Sequence, residues 1–394
     1  MGTHSLLNNY GRKDVSFVKG SGAWLWDQDN DRYLDALSGI AVCGLGHAHP
    51  QVAETISHQA SLLLHTSNIY RIPSQEQLGE KLCALSGMDG AFFCNSGAEA
   101  NEAAIKLARL HGHSKNIDTP SVIVFDNSFH GRTMATLTAT GNRKAHAGFE
   151  PLVSGFVRAP YNDADTVKQI CARNSSVVAI LVEPIQGEGG INIPGRDFLT
   201  SLRQICDQYD LLLMLDEVQT GNGRTGKWFA FQHTGVVPDI ITTAKGLGNG
   251  IPIGACLAKG KAAELFSPGS HGSTFGGNPL VCAVALKVLD IISNDQLLEN
   301  TKNIGRYLLS GFKDKLAQHS MVKDIRGLGL MLGIELKLPC AHIVDLALEK
   351  KLLLNVTADS VIRLLPPLIT DQDQADEIIN TVCECIDQFE KESL

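Results

Sequence analysis

The chain has 394 residues, 44% of them hydrophobic, with 38 glycines and a formal net charge of −8. That length supports a large core and two domains, and that composition excludes disordered and fibrous classes. The acidic balance, with no basic run, argues against a nucleic-acid role, because a phosphate backbone wants a basic patch.

In chain order, the segment FVKGSGAWLWDQDNDRYLDAL comes first, and its Asp29-Asn30-Asp31 predicts a hairpin turn. A helix is expected over 98–110 and another over 197–208. Between and after them run SVIVFD (121–126), VVAILVE (177–183), LLLMLDE (211–217), DIITTA (239–244) and IGACLA (253–258). These runs are short, continuous and rich in Val, Ile and Leu, as parallel strands covered on both faces should be. They predict an α/β fold with a mostly parallel sheet. Asp126, Glu183 and Asp216 fall at the carboxyl ends of their strands, where ligands of open parallel sheets sit. Beyond residue 298, IRGLGLMLGIEL and VIRLLPPL read as strands, and 341–351 and 371–389 as helices, giving a smaller α/β domain. The expected division is an N-terminal segment 1–47, a large domain 48–297 and a small domain 298–394.

The ten cysteines form no CxxC pair, and most sit in apolar runs such as AVCGL. They read as reduced core residues of a cytosolic protein. The opening MGTHSLLNNYGRKD has neither an apolar h-region nor an Arg/Ser-rich amphipathic stretch, so export and organelle import are not expected. No apolar run approaches the roughly 20 residues that span a bilayer.

Three groups stand out together. Lys245 lies in IITTAKGLGNGIPIGA, between apolar flanks that predict burial. Burial lowers a lysine pKa and favours the neutral amine that imine exchange requires. Asp216 ends an apolar strand in LLLMLDEVQTG. Asn95-Ser96-Gly97-Ala98-Glu99 links a strand to a helix. A lysine, a strand-end carboxylate and a phosphate-sized turn are what pyridoxal 5'-phosphate needs. Each also has a plainer reading. Ser96 and Glu99 fit a capping box, and Lys245 could cap a strand in solvent. Gly97, lacking a Cβ, would let a phosphate approach the backbone.

Other motifs are weaker. GNGRTGKW resembles both a dinucleotide fingerprint and a P-loop, yet Trp228 stands where a P-loop needs Ser or Thr, and DEVQT separates the glycines from the strand. The remaining reading is a glycine-rich loop passing near a ligand. The pairs His47/His49 and His111/His113 lack a third ligand nearby, so no metal is expected; a turn and a solvated helix C-terminus suffice. Arg132, in NSFHGRTMATL, and Arg363, inside VIRLLPPL, could each grip a carboxylate or make a structural ion pair.

These motifs resemble the class III, fold type I aminotransferases that use pyridoxal phosphate, most nearly their acetylornithine branch. The likeness runs from GIAVCGLGHAHP and HTSNIY through NSGAEANEAAIKLAR, FHGRT, VEPIQGEGG, LDEVQTGNGRTG, AKGLGNGIPIGA and HGSTFGGNPL to IRGLGLMLGIEL and VIRLLPPL, nearly the whole chain. It implies that Lys245 is the Schiff-base lysine and that Asp216 pairs with the pyridinium nitrogen. Ser96, Gly97 and Ala98 would form the phosphate turn. Ala98 stands where some relatives have threonine. Thr274, beside Ser273, would reach the phosphate of a neighbouring subunit. Phe129 would stack on the cofactor ring, Val218 would lie below it, and Gln219 would meet the ring hydroxyl. Arg132 would take the substrate α-carboxylate. Glu183 and Arg363 would form a pair that opens for the oxo acid, with Glu188 in the same loop.

The implied activity moves the δ-amino group of N-acetylornithine to 2-oxoglutarate, a step of arginine biosynthesis, in a cytoplasmic homodimer. Succinylornithine, ornithine, 4-aminobutyrate or a diaminopimelate precursor remain possible donors. Outside this class stand a catalytically silent cofactor-binding homologue and, more remotely, a nucleotide-binding enzyme.

Overall fold

The computed structural model describes residues 5–393. Residues 1–4 and Leu394, the extreme ends of the expected first and last segments, lie outside the described residues. Near the N-terminus, β1 (Phe17–Ser21), β2 (Trp24–Asp27) and β3 (Arg32–Asp35) form an antiparallel meander, with Asp29–Asp31 turning as expected. Asp27 closes that turn by accepting the N–H groups of Asp29 and Asp31 at 3.0 and 2.9 Å.

The central sheet has seven strands: β4 (Gly90–Cys94), β5 (Ser121–Phe125), β6 (Phe156–Ala159), β7 (Val177–Val182), β8 (Leu212–Asp216), β9 (Ile240–Thr243) and β10 (Gly254–Ala258). Their order across the sheet is β4-β10-β9-β8-β7-β5-β6. All five apolar runs in the middle of the chain are strands of it. Four pair parallel as expected, but β10 is antiparallel to both β4 and β9. A strand buried on both faces reads as the same apolar run in either direction. Direction is set by the connection, and the short loop from β9 to β10 cannot make the long crossover that parallel pairing requires.

Alternation along the strands divides the core between the two faces. Ile123, Ile180, Leu213 and Ile241 pack with Leu78, Leu82, Phe198 and Leu202. Val122, Ala179, Met214 and Cys256 pack against Ala103, Ala104, Leu107 and Ala108 of the helix Gly97–Ser114. The alanine face lets that helix lie close on the sheet.

After the helices Pro279–Asn294 and Leu297–Leu316 come β11 (Val322–Leu328) and β12 (Met331–Leu336), the helix Ile343–Glu349, β13 (Leu352–Leu353), β14 (Asn355–Thr357), β15 (Val361–Leu364) and the helix Gln372–Ser393. The order β11-β12-β15-β14 makes a second sheet, while β13 joins the first meander beside β3, in parallel.

One smaller expectation is corrected and another is narrowed. His111 is not solvated. It is buried, with Nε2 3.1 Å from the Asp210 carbonyl, because the helix is longer than its apolar pattern suggested and its last turn is covered. The glycine-rich stretch 221–226, expected to pass near a ligand, does not line the candidate cavity but packs directly behind it, where Asn222 Nδ2 donates to the Ala244 carbonyl at 3.0 Å, one residue before Lys245. Buried Arg224 of the same stretch donates to the Leu330 and Pro366 carbonyls of the C-terminal part.

Candidate active site

Loops at one edge of the central sheet converge on a cavity of about 400 Å³. Ser96, Gly97, Ala98, Phe129, Arg132, Glu183, Glu188, Asp216, Val218, Gln219 and Lys245 all line it. They come from the carboxyl ends of β4, β5, β7, β8 and β9, so a parallel arrangement delivers them to one place. Three expected residues do not line it. Ser273 touches its wall, with Oγ 3.3 Å from the Asn95 amide nitrogen. Thr274 lies in a separate cleft with His65, Ser67 and Asn68. Arg363 approaches from β15 through Glu188.

Asp216 is buried, and three donors fix it. Asn101 Nδ2 and His130 Nδ1 meet Oδ2 at 2.7 and 2.8 Å, and the Val218 N–H meets Oδ1 at 3.0 Å. Asn101 is held in turn by the Thr242 hydroxyl at 2.7 Å. Sequence reasoning missed Asn101 and His130. Both stand inside quoted motifs, but only the packing of the Gly97–Ser114 helix on β8 and β9 reveals their partner. Such a net of donors keeps the carboxylate in one orientation.

Lys245 begins the loop after β9 with φ of 43°, a left-handed conformation that costs a non-glycine residue energy and marks functional sites. Burial, then the positive charge of Arg363, lowers its amine to about 8, against the pull of Glu188, Asp216 and Glu183. The neutral fraction of this amine therefore rises as pH climbs through about 8, whereas an ordinary lysine waits until roughly 10.4. Covalent capture of pyridoxal phosphate by apoprotein should accelerate up to about pH 8 and then level off. A rate still climbing steeply past pH 10 would refute this.

At the turn, Ser96 caps the helix Gly97–Ser114: its Oγ accepts the Glu99 N–H at 3.2 Å, while Glu99 accepts the Asn95 N–H at 2.6 Å. Only half of the expected capping box forms, because Glu99 takes the N–H of Asn95 and not that of the cap residue Ser96; the first-turn N–H groups of Gly97 and Ala98 remain without helical partners, as at any helix start. Gly97 has a packing reason as well. A Cβ there would lie 2.6 Å from Val218 Cγ1.

Glu183 is buried and accepts two backbone donors, Phe129 N–H at 2.8 Å and Gly187 N–H at 3.1 Å. Burial pushes its carboxyl up to about 7. The expected pairing of Glu183 with Arg363 is corrected: Arg363 donates Nη1 to Glu188 Oε1 at 2.7 Å and Nε to Asn355 at 3.0 Å. The two glutamates are five residues apart, and the turn at Gly187–Gly190 brings the second one to β15. Arg132 forms no ion pair among the described residues. Its guanidinium stands 5.4 Å from the Phe129 ring centroid at the exposed mouth.

Three buried polar atoms at this site have no partner: His130 Nε2, Gln219 Oε1 and Arg363 Nη2. Unpartnered buried polar groups are costly and rare, so their concentration around one cavity marks a place for a polar ligand. A ring with an edge oxygen, a nitrogen and an anionic tail fits this donor set. Asp216 would hold the ring nitrogen, Gln219 the ring oxygen, and the Gly97 helix start the phosphate.

An α/β scaffold with this lysine, carboxylate and anion site defines an enzyme of the pyridoxal-phosphate-dependent kind. Residues 8–386 match the family model for class-III aminotransferases, and the chain belongs to that family, whose cofactor is pyridoxal 5'-phosphate. It is 57% identical over 384 residues to an acetylornithine aminotransferase of Nitrosomonas europaea, covering 98% of each chain. Its structure is similar to an ornithine aminotransferase from Toxoplasma gondii (TM-score 0.95, 31% identity, 98% of this chain and 94% of that one). It also resembles an acetylornithine aminotransferase from Elizabethkingia anophelis (TM-score 0.87, 33% identity, 98% and 96%).

Proposed function

We propose that the protein moves the δ-amino group of N-acetylornithine to 2-oxoglutarate, giving N-acetylglutamate 5-semialdehyde and glutamate, as a step of arginine biosynthesis. The observation that carries it is the gathering of Lys245, Asp216 and Arg132 around one cavity, with Arg363 joined to its wall through Glu188, in a chain so similar to acetylornithine aminotransferases. Pyridoxal phosphate, when bound, supplies the carbonyl that takes the amino group and a ring that accepts electrons. Lys245 Nζ would hold it covalently and, once freed by the incoming amine, would serve as the base that takes the substrate proton and the acid that gives it back to the cofactor. Asp216 would hold the ring-nitrogen proton, and Phe129 and Val218 would supply apolar walls for the ring. A panel of acetylornithine, succinylornithine, ornithine and 4-aminobutyrate against 2-oxoglutarate tests the donor. Ornithine outpacing acetylornithine would reject the reading.

The two arginines divide the substrates. Arg132, free at the mouth, serves the α-carboxylate in both half-reactions. Arg363 serves the second carboxylate of 2-oxoglutarate, with Glu188 neutralising it while the donor is bound. A charge-assisted hydrogen bond is worth roughly 1.5–3 kcal/mol, so losing one costs about 10- to 150-fold in kcat/KM. Arg132→Ala should show that loss in both half-reactions. Arg363→Ala should show it with 2-oxoglutarate and far less with acetylornithine. Equal losses in both halves for Arg363→Ala would leave that arginine a structural ion pair.

A homodimer with shared sites belongs to this reading. The cleft holding Thr274 lies beside exposed Leu63, Leu64, Ile69, Tyr70 and Phe275, an apolar patch of the kind that marks an interface. An isologous contact would carry Thr274 to the partner's phosphate site. A stable, fully active monomer in sedimentation would refute it. A cytoplasmic location is proposed on the cysteine usage, and fractionation tests it. Among the described residues, no helix is long and apolar enough to cross a membrane.

A further inference from the structure

We propose that Glu183 is a positioning residue: its carboxylate ties the segment carrying Phe129 to the segment carrying Glu188, so that one side chain sets two walls of the cavity. The inference rests on the pyridoxal-phosphate reading, because Phe129 matters as the wall against which that ring lies.

The two ties come from different parts of the chain. Phe129 belongs to the loop after β5, and Gly187 to the loop after β7 that leads to Glu188. Glu183 Oε1 serves the first and Oε2 the second. The register of β7 on β8, Val182 against Leu215, puts Glu183 level with Asp216 at the sheet edge. Gly187 cannot drift freely either. A Cβ on it would overlap the Gln219 side-chain amide, so its backbone is wedged between Glu183 and the residue expected at the ring oxygen.

Charge balance supports the same role. Burial and the neighbouring Asp216 oppose a charge on Glu183, while His130 and the two N–H donors favour it. A carboxylate held there at that cost, with both oxygens occupied by backbone, is not free to meet a guanidinium. Glu188 already does so. Glu183 makes no ion pair among the described residues, and its own backbone carbonyl is fixed by the Tyr161 hydroxyl at 3.0 Å. Both carboxylate oxygens and the backbone carbonyl are thus committed to structure next to the chemistry.

The test is Glu183→Gln, which keeps the shape but replaces one acceptor oxygen with an NH₂ group facing an N–H. One tie must then fail. Pyridoxal phosphate should bind the apoprotein about 10-fold more weakly or worse. The acetylornithine and 2-oxoglutarate half-reactions should slow by the same factor, since both use the same ring. Amide hydrogen exchange at Phe129 or Gly187 should quicken in the apoprotein. Glu188→Gln should instead slow the acetylornithine half alone, where Glu188 neutralises Arg363, with cofactor affinity kept. If Glu183→Gln does not fold, Glu183→Asp keeps the charge but is one methylene short. It should show a smaller loss, again equal in both halves. Wild-type cofactor affinity and amide exchange in the variant, or a loss confined to one half-reaction, would overturn the proposal. Failure of the underlying reading looks different: wild-type protein mixed with pyridoxal phosphate would then develop no visible absorbance band.

Discussion

Lys245→Ala abolishes turnover while leaving pyridoxal phosphate binding measurable. Two separate features produce this split. In the proposed mechanism the covalent anchor and the acid–base group are the same Nζ, so its removal would end both roles at once. The noncovalent hold would fall on Asp216, the helix start at Gly97–Ala98 and the Phe129 ring, which line the same cavity and which the substitution leaves in place. The strained φ of 43° at Lys245 remains with alanine, so the loop gains no relief that could be mistaken for a chemical effect. Equilibrium dialysis and single-turnover spectra separate the outcomes. A variant with near-wild-type kcat would show that another group does the proton transfer.

Asp216→Ala should lower kcat on the order of 10³-fold, the scale of losing one preorganised electrostatic group at a reacting centre. The ring-nitrogen proton loses its counter-charge. A second cost falls on the fold: His130 Nδ1 and Asn101 Nδ2 both donate to Oδ2, and the substitution leaves them buried without that acceptor. Stranding a buried donor costs about 1–3 kcal/mol, so melting temperature should fall with activity. Because His130 Nε2 already lacks a partner, the whole imidazole would then be unpaired. A kcat within tenfold of wild type would sink the role assigned to Asp216.

These two residues, with the Ser96 turn, could be read from the chain because each sits at the end of an apolar run. Continuous Val, Ile and Leu mark strands buried on both faces, and a polar residue closing such a run must lie at the sheet edge. VVAILVE and LLLMLDE therefore located both the core and the rim of the cavity, whereas Asp126, at the end of SVIVFD, lies outside its lining. The Asp29–Asp31 turn and the Ser96 helix cap are equally local, since their partners lie within a few residues.

What the chain alone could not decide were partners chosen across long separations. Two glutamates in VEPIQGEGG could have met Arg363, and only the turn at Gly187–Gly190 and the approach of β15 select Glu188. Glu183 is turned inward instead to bind backbone. His130 and Asn101 converge on Asp216 from 86 and 115 residues away. The reversed direction of β10 and the burial of His111 have the same origin. Burial period and capping are set by nearest neighbours along the chain. The orientation of a strand, and the choice of partner for a long polar side chain, depend on which segments the whole fold brings within about 3 Å of one another.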